Sequence, residues 1–260
     1  MDVDNLPEPE PIARRKDEAE EPPQMSEAAS VGNVFIEPGN VFADMRRKPR
    51  FLLAGLIVIL SVAAFQIAFI EKIGFKEVVK ARIESSKRTQ ELPSDQKAQI
   101  IDQQGSDLFK YVTYGATPVV VAIIFLLGGL VYFLGANAMG GSAKFFGGVS
   151  VWVYSSLPPA IIFLLGNILV LFLKNVDDID LAHSQGGLLK ANLGLFIDPN
   201  TSPVLSAFLS TFDIFAIWGW ILAAIGLQKV AKISSGAAWA VVLIPAVIGV
   251  AFKVVGALFF

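Results

Sequence analysis

One apolar stretch, residues 204–232, constrains this chain more than any other feature, because it is long enough to cross a lipid bilayer. It also contains a carboxylate, Asp213, well inside the run. A charged group at the centre of a bilayer costs roughly 2.5 kcal/mol or more, so such a residue calls for a partner. Helical periodicity predicts that Ser206, Ser210 and Asp213 share one side of the helix. The stretch therefore predicts a membrane-embedded bundle with a polar cluster inside it.

The composition is typical of a membrane protein. Of the 260 residues, 54% are hydrophobic and only 17% are charged, and the hydrophobic residues come in long runs. The formal net charge of −2 gives no indication of nucleic-acid binding. The absence of cysteine excludes disulfides and thiolate metal ligands, and one histidine, His183, cannot form a typical histidine metal site. We expect no metal and no cofactor.

Five apolar runs predict an all-α, polytopic membrane protein, a bundle of five transmembrane helices within a domain over residues 31–260. The predicted spans are residues 51–70, 115–135, 149–173, 204–227 and 236–259. Residues 71–110 are polar, and their apolar members recur every three or four positions. This period predicts a helical hairpin outside the bilayer, with Pro93 separating its two helices and Ser94 capping the second.

The N-terminal part divides into an acidic leader and a juxtamembrane segment. Residues 1–30 are rich in acids and proline, which predicts disorder. A short amphipathic helix follows the Pro38-Gly39 turn, and its apolar residues predict a position at the membrane interface. These residues are Val34, Phe35, Val41, Phe42 and Met45. The basic residues just before the first span, Arg46, Arg47, Lys48 and Arg50, favour a cytoplasmic N-terminus, although the bases in residues 71–110 oppose it.

Prolines and polar residues mark special places inside the predicted spans. Pro158 and Pro159 fall inside the third span, where two missing N–H groups predict a helix break. Pro118 is expected in the first turn of the second span, where proline is tolerated. Asn167 follows the break at a depth that makes it the expected partner of Asp213. Separately, Lys253 in the fifth span is expected to reach the interface along its own stem.

Four segments carry a resemblance to a known family. They read IEPGNVFADMRRKPRFLLAGLIVIL, QELPSDQKAQIIDQQ, YSSLPPAIIFLLGNIL and LSTFDIFAIWGWILAAIGL. The last contains an Asp-x-Phe-x-x-Trp pattern at Asp213, Phe215 and Trp218. Over residues 33–259 the chain resembles bacterial members of the Yip family, named for eukaryotic relatives that interact with Ypt/Rab GTPases. The resemblance implies a five-span protein of the bacterial cytoplasmic membrane with a cytoplasmic N-terminus. It implies no settled biochemical role, although the eukaryotic branch works in vesicle traffic.

Two functional hypotheses follow. The chain has no HExxH, G-x-S-x-G or Walker motif, so we expect no enzyme. The first hypothesis is a non-catalytic scaffold, a membrane-organising or trafficking-type factor in which Asp213 holds helices together. The second is a transporter or channel for a small solute or ion, with a midplane site at Asp213, Asn167 and the proline break. A water-filled cavity reaching Asp213 favours the second hypothesis, and a dry, packed Asp213 favours the first. The expected partner is the lipid bilayer; a homo-oligomer is compatible with the sequence, and protein partners are not indicated.

Overall fold

The computed structural model describes residues 22–86, 89, 91–181, 184, 187–199 and 201–259. Ten α-helices are described: α1 (Glu27–Asn33), α2 (Pro38–Arg47), α3 (Leu52–Ile73), α4 (Phe75–Ser85), α5 (Ser94–Gln104), α6 (Asp107–Ala138), α7 (Phe145–Leu173), α8 (Pro203–Leu209), α9 (Ile214–Ala231) and α10 (Ser235–Phe259). Two short 3₁₀ turns, Val176–Asp178 and Leu193–Phe196, lie in the connector, residues 174–202. No strand is described in these ranges beyond an isolated bridge between Asn192 and Asp213.

Five helices, α3, α6, α7, α9 and α10, are long and apolar enough to cross a membrane, which confirms the predicted all-α, five-span architecture. The second span differs from its prediction because α6 begins at Asp107, eight residues before residue 115. An acid in the first turn suits the positive end of the helix dipole, so the helix starts within the polar segment. Pro118 therefore lies in the interior of α6, and not in a first turn as predicted.

Helix α7 is the centre of the bundle and packs against α3, α6 and α9. Its contact with α6 depends on glycine, because a Cβ atom on Gly129 would lie 2.4 Å from Cγ2 of Val149. A Cβ atom on Gly128 would meet the Trp152 ring at 2.1 Å. Lipid tails are as apolar as these side chains, so close backbone packing of this kind is what holds membrane helices together.

The predicted helix break at Pro158 and Pro159 is not observed, since α7 runs as one helix from Phe145 to Leu173. The two prolines have no N–H groups, so two carbonyls one turn earlier lose their intrahelical partners. One of them belongs to Ser155, and α9 approaches it closely: a Cβ atom on Gly219 would lie 3.5 Å from the Ser155 oxygen. The neighbouring helix thus covers the weakened turn, and α7 continues through it.

Helices α1 and α2 pack against the bundle, whereas the sequence predicted a helix on the membrane surface. Val34, Val41, Phe42 and Met45 are fully buried, because α2 lies along α9 and also contacts α7. A Cβ atom on Gly226 of α9 would lie 3.0 Å from the Phe42 ring. The apolar face of α2 is therefore covered by protein.

The predicted leader, residues 1–30, is described only from residue 22, so most of that prediction lies outside the described residues. Its last four residues belong to α1, whose first turn is capped by Ser26: the Ser26 hydroxyl accepts a 3.1 Å hydrogen bond from the Ala29 N–H. The glutamate that opens α1, Glu27, in turn accepts a 2.9 Å bond from the Leu53 N–H at the start of α3. Residues 27–30 of the predicted leader are therefore helical.

The polar segment between the first two spans contains two helices, α4 and α5, which contact each other. The structure confirms that Pro93 separates them. Pro93 itself occupies the cap position of α5, and the Ser94 hydroxyl bonds Oδ1 of Asp95 at 2.9 Å, so the predicted Ser94 cap is wrong. An exposed ion pair between Lys76 and Asp102, with N and O 2.6 Å apart, joins the two helices.

Candidate functional site

The fourth predicted span, residues 204–227, is not one helix, because α8 ends at Leu209 and α9 begins at Ile214. Asp213 has an extended backbone, with φ −90° and ψ 133°, and is the N-cap of α9. Its Oδ1 atom accepts hydrogen bonds from the N–H groups of Phe215 at 2.9 Å and Ala216 at 3.4 Å. Aspartate is favoured there because it satisfies N–H groups that a helix start leaves without intrahelical partners. The prediction that Asp213 lies inside one continuous helix is therefore wrong.

Asp213 also lies closer to the membrane boundary than the sequence indicated. Helix α9 has 18 residues, so Asp213 is about 27 Å from Ala231 along the helix axis. The hydrocarbon core of a bilayer is about 30 Å thick. If α9 crosses the bilayer over this length, Asp213 lies near one boundary of the hydrocarbon core, where a charge costs less than at the midplane.

Asn167 does not pair with Asp213 as predicted, because it holds the connector. Its Oδ1 atom accepts hydrogen bonds from the N–H groups of Leu188 at 2.6 Å and Leu189 at 3.0 Å, and its Nδ2 atom donates to the Phe163 carbonyl at 2.8 Å. Gly187, with φ +123°, brings the connector close: a Cβ atom there would lie 2.9 Å from the Asn167 oxygen. Asn167 is fully buried, and its role is structural.

The partner of Asp213 is Asn192, which lies in the connector. The Asn192 Nδ2 atom is 3.4 Å from Oδ2 of Asp213, and the Ile214 N–H donates to the Ala191 carbonyl at 3.1 Å. Asp213 and Asn167 therefore both fasten the connector, at two separate points. Sequence analysis missed Asn192, since a single asparagine in a polar loop carries no distinguishing signal.

The predicted serines and Lys253 meet Asp213 at the rim of one groove. Lys253 Nζ is 2.5 Å from the Ser210 hydroxyl, which itself donates to the Ala207 carbonyl at 2.8 Å. Ser206, on the same short helix α8, lines the groove as well. Ser206, Ser210 and Asp213 therefore line one groove with Lys253 of α10, but they do not share one side of a single helix as predicted, because α8 ends at Leu209.

This groove has a volume of about 1190 Å³ and lies among α7, α8, α9, α10 and the connector. The polar residues Lys190, Asn192, Asp198, Ser206, Ser210, Asp213 and Lys253 line its outer part, beside apolar connector residues such as Leu195 and Phe196. Phe163 and Phe215 line it close to Asp213, and Tyr132, Trp152 and Trp220 line its inner part. The Tyr132 and Trp152 ring centroids are 4.9 Å apart at the deep end. The charged side chains that line the groove thus all lie in its outer part, whereas its inner part has aromatic rings, and the groove is larger than most drug-sized pockets.

The residues of the Asp-x-Phe-x-x-Trp pattern have three different contacts. Asp213 caps α9. Phe215 packs edge-on against Phe163 of α7, with ring centroids 5.5 Å apart, and lines the groove. Trp218 packs edge-on against Phe35, in the turn between α1 and α2, at 6.5 Å. The pattern thus joins the start of α9, the groove and the N-terminal helices.

A second polar cluster, which sequence analysis did not identify, lies where α2 leads into the first span. The Asp44 carboxylate is 2% exposed and pairs with the Arg50 guanidinium, which is 8% exposed. It also accepts hydrogen bonds from the N–H groups of Gln24 at 2.7 Å and Met25 at 3.1 Å. Burial raises the pKa of Asp44, but these hydrogen bonds and the Arg50 charge outweigh it and leave that pKa below its ordinary value. Arg50, predicted only as an orientation signal, is a buried structural residue.

Within the ranges that the structure covers, no three or more histidine, cysteine, aspartate or glutamate side chains converge as a metal site would require. His183 lies outside the described residues.

Comparison with known proteins gives a family and one curated relative. The family model described as the Yip1 domain matches residues 32–256. The chain is 25% identical over 216 residues to "Membrane protein YknW" of Bacillus subtilis (strain 168), which covers 82% of this chain and 84% of that protein. No solved structure matches the chain significantly.

Proposed function

The chain belongs to the Yip1 domain family of membrane proteins, and from that premise we propose that it is a non-catalytic factor that organises components of the membrane. One observation carries this proposal: the polar residues expected to form a transport site have structural roles. Asp213 caps α9, and Asn167 holds the connector. They do not contact each other, and a midplane site formed by the pair has no support in this arrangement.

Flux measurements on the reconstituted full-length protein test this proposal. Liposomes with the protein are expected to pass protons, sodium and potassium no faster than empty liposomes. In native lipid particles, Asp213→Asn is expected to leave the set of co-purifying proteins unchanged, because asparagine is as good an N-cap as aspartate. A protein-dependent flux that Asp213→Asn abolishes contradicts the organising role.

A transporter or channel is the second candidate, and the groove is the observation that favours it. The groove reaches Asp213 from one end of the bundle and extends inward to Tyr132 and Trp152. Next to these residues, α6 and α7 pack closely at Gly129 and Val149, which closes the space between these two helices. Transport would require the α6–α7 contact to open. The flux measurement above therefore decides between the two candidates.

We also propose that the protein lies in the bacterial cytoplasmic membrane with its N-terminus in the cytoplasm. At one end of the bundle, which we call the hairpin end, the links 139–144 and 232–234 join α6 to α7 and α9 to α10. This end also includes α1 and α2, and it does not include the α4–α5 segment. The link 139–144 contacts the end of α9, where the Ser142 N–H donates to the Ala231 carbonyl at 3.0 Å, and it approaches the link 232–234, since a Cβ atom on Gly141 would lie 2.7 Å from the Ile233 side chain. Lys144 and Lys232 lie in these links, on the same side as the basic residues before α3, as the positive-inside rule favours. Reporter fusions after Lys144 and after Lys232 should both report cytoplasm, and a periplasmic signal at either point contradicts this orientation.

A further inference from the structure

We propose that the groove binds one zwitterionic phospholipid of the phosphatidylethanolamine type, with its headgroup at the rim and an acyl chain against the aromatic inner part. This inference goes beyond the proposed function, because either an organising protein or a transporter could hold such a lipid. Its test uses lipid labelling, so it can fail while the flux and co-purification results stand.

The rim carries both signs of charge within one opening. Lys253 lies beside the Ser210 hydroxyl, and Lys190 lines the same groove. Asp213 presents its carboxylate to this groove as well, next to the Asn192 amide. A lipid phosphate would meet the lysine ammonium groups, and the ethanolamine ammonium would meet the carboxylate, so that both headgroup charges are paired.

The same charges discriminate against other common headgroups. A phosphatidylglycerol headgroup has a phosphate for Lys253 but offers Asp213 only hydroxyl groups. A phosphatidylcholine headgroup has a cation, yet its three methyl groups remove the N–H donors that a carboxylate accepts. Of these three headgroups, phosphatidylethanolamine is therefore the one that satisfies both kinds of rim residue.

The inner part of the groove follows the polarity gradient of the bilayer. Trp220 is seven residues beyond Asp213, about 10 Å deeper along α9. Trp152, Pro159 and Trp220 line the groove at about this level or beyond it, whereas Phe163, whose ring packs on Phe215, lines it nearer the rim. A ligand seated here meets charges at the membrane boundary and apolar rings toward the membrane interior, which is the distribution of a phospholipid and not that of a small polar solute.

Photolabelling of the reconstituted full-length protein tests the inference. The protein is placed in vesicles of phosphatidylethanolamine and phosphatidylglycerol in equal amounts, with an acyl-chain diazirine on one lipid or the other, and labelled residues are mapped by mass spectrometry. We expect labels at groove residues such as Trp152 and Phe163. The phosphatidylethanolamine probe should exceed the phosphatidylglycerol probe there by about fivefold, the ratio that one partly screened ion pair supplies.

Two matched pairs of variants separate headgroup recognition from groove occupancy. Asp213→Asn keeps the N-cap and should bring the probe ratio close to one, while Asp177→Asn, an exposed acid outside the groove, should leave it unchanged. Ala216→Trp fills the groove and should remove most groove labelling by both probes. Ala64→Trp, on the exposed face of α3, should not. If Ala216→Trp does not fold, Lys253→Met takes its place and should lower groove labelling by both probes, because both lipids carry a phosphate.

Three outcomes overturn the inference. One is labelling spread evenly over the lipid-facing surfaces of α3 and α10 and insensitive to both groove variants. Another is a preference for the phosphatidylglycerol probe at the groove residues. The third is a protein–protein adduct at these residues, which would show that a second copy of the chain occupies the groove.

Discussion

At the hairpin end of the bundle, buried side chains fill the space between α1, α2, α7 and α9, and the Asp44 carboxylate is enclosed by Arg50 and two backbone N–H groups. At the opposite end, which we call the groove end, α8, α10 and the connector leave a groove of about 1190 Å³ beside Asp213. Two carboxylates at structural positions, Asp44 at one end and Asp213 at the other, show the contrast between the ends. The surroundings of each carboxylate decide whether anything beyond the protein can reach it.

This difference separates two uses of an acid in a membrane bundle. Asp44 is paired within the protein, and a buried pair of this kind is costly to break by removing one partner. Asp213 caps a helix with Oδ1, while Oδ2 lies 3.4 Å from an amide at the edge of an open groove. We infer that the hairpin end stabilises the fold and that the groove end is where a ligand can bind.

The largest effect is expected at the buried ion pair. Arg50→Met should lower the free energy of unfolding in bicelles by about 3–5 kcal/mol, because it leaves the buried Asp44 carboxylate with only the longer contact to Arg47, at 3.7 Å. Lys48→Met, at an exposed base two residues away, is the control and should change it by less than about 0.5 kcal/mol. Equal effects of the two variants would mean that the Asp44–Arg50 pair does not stabilise the hairpin end.

The next effect compares glycines on the two sides of α7. Gly129→Ala should destabilise by about 1–3 kcal/mol, because its Cβ atom would lie 2.4 Å from Val149. Gly219→Ala, which lines the groove, should cost less than about 0.5 kcal/mol, since its Cβ atom meets nothing closer than 3.5 Å. Thermal unfolding of both variants in the same lipid measures this contrast. A tolerated Gly129→Ala would show that α6 and α7 can separate, which transport requires.

A smaller effect is expected at the cap of α9. Asp213→Leu should cost about 0.5–2 kcal/mol, because the Phe215 and Ala216 N–H groups lose their acceptor, whereas Asp213→Asn should be close to neutral. The same unfolding assay applies to both. If asparagine destabilises as much as leucine, the charge and not the cap is what matters at this position.

The smallest expected effect is the pH dependence of the stability that Asp44 contributes, which changes little near neutral pH. Its folded-state pKa lies below its ordinary value of 3.8, so the stability it contributes is fully present above that value and is lost as the pH falls through the folded pKa. The stability difference between the native protein and Asp44→Asn should therefore be constant from pH 7 to about pH 5 and should shrink below about pH 4. A difference that grows on acidification would contradict this assignment.

Particular residues show what sequence patterns predict and what they miss. The run over residues 204–227 is apolar enough to conceal the interruption before α9, because hydropathy does not register a helix start inside an apolar segment. An aspartate directly before an apolar run is nevertheless an N-cap signal, and Asp213 has that pattern. Ser206, Ser210 and Asp213 do line one groove, but the helical spacing from which they were predicted to lie together is broken after Leu209. Their partners Asn192 and Lys253 come from segments distant in the sequence.

The sequence by itself determined the five membrane-crossing helices and the helical segment between the first two. Both follow from local physics: a run of about twenty apolar residues must satisfy its backbone internally in lipid, and a three- to four-residue period selects a helix. Only the tertiary structure decided that Asn167 binds the connector, that Asp44 pairs with Arg50, that α2 packs on α9 and that a groove opens beside Asp213. These contacts join segments whose approach depends on helix packing and on glycine positions, and the composition of one segment does not specify which other segment it will meet.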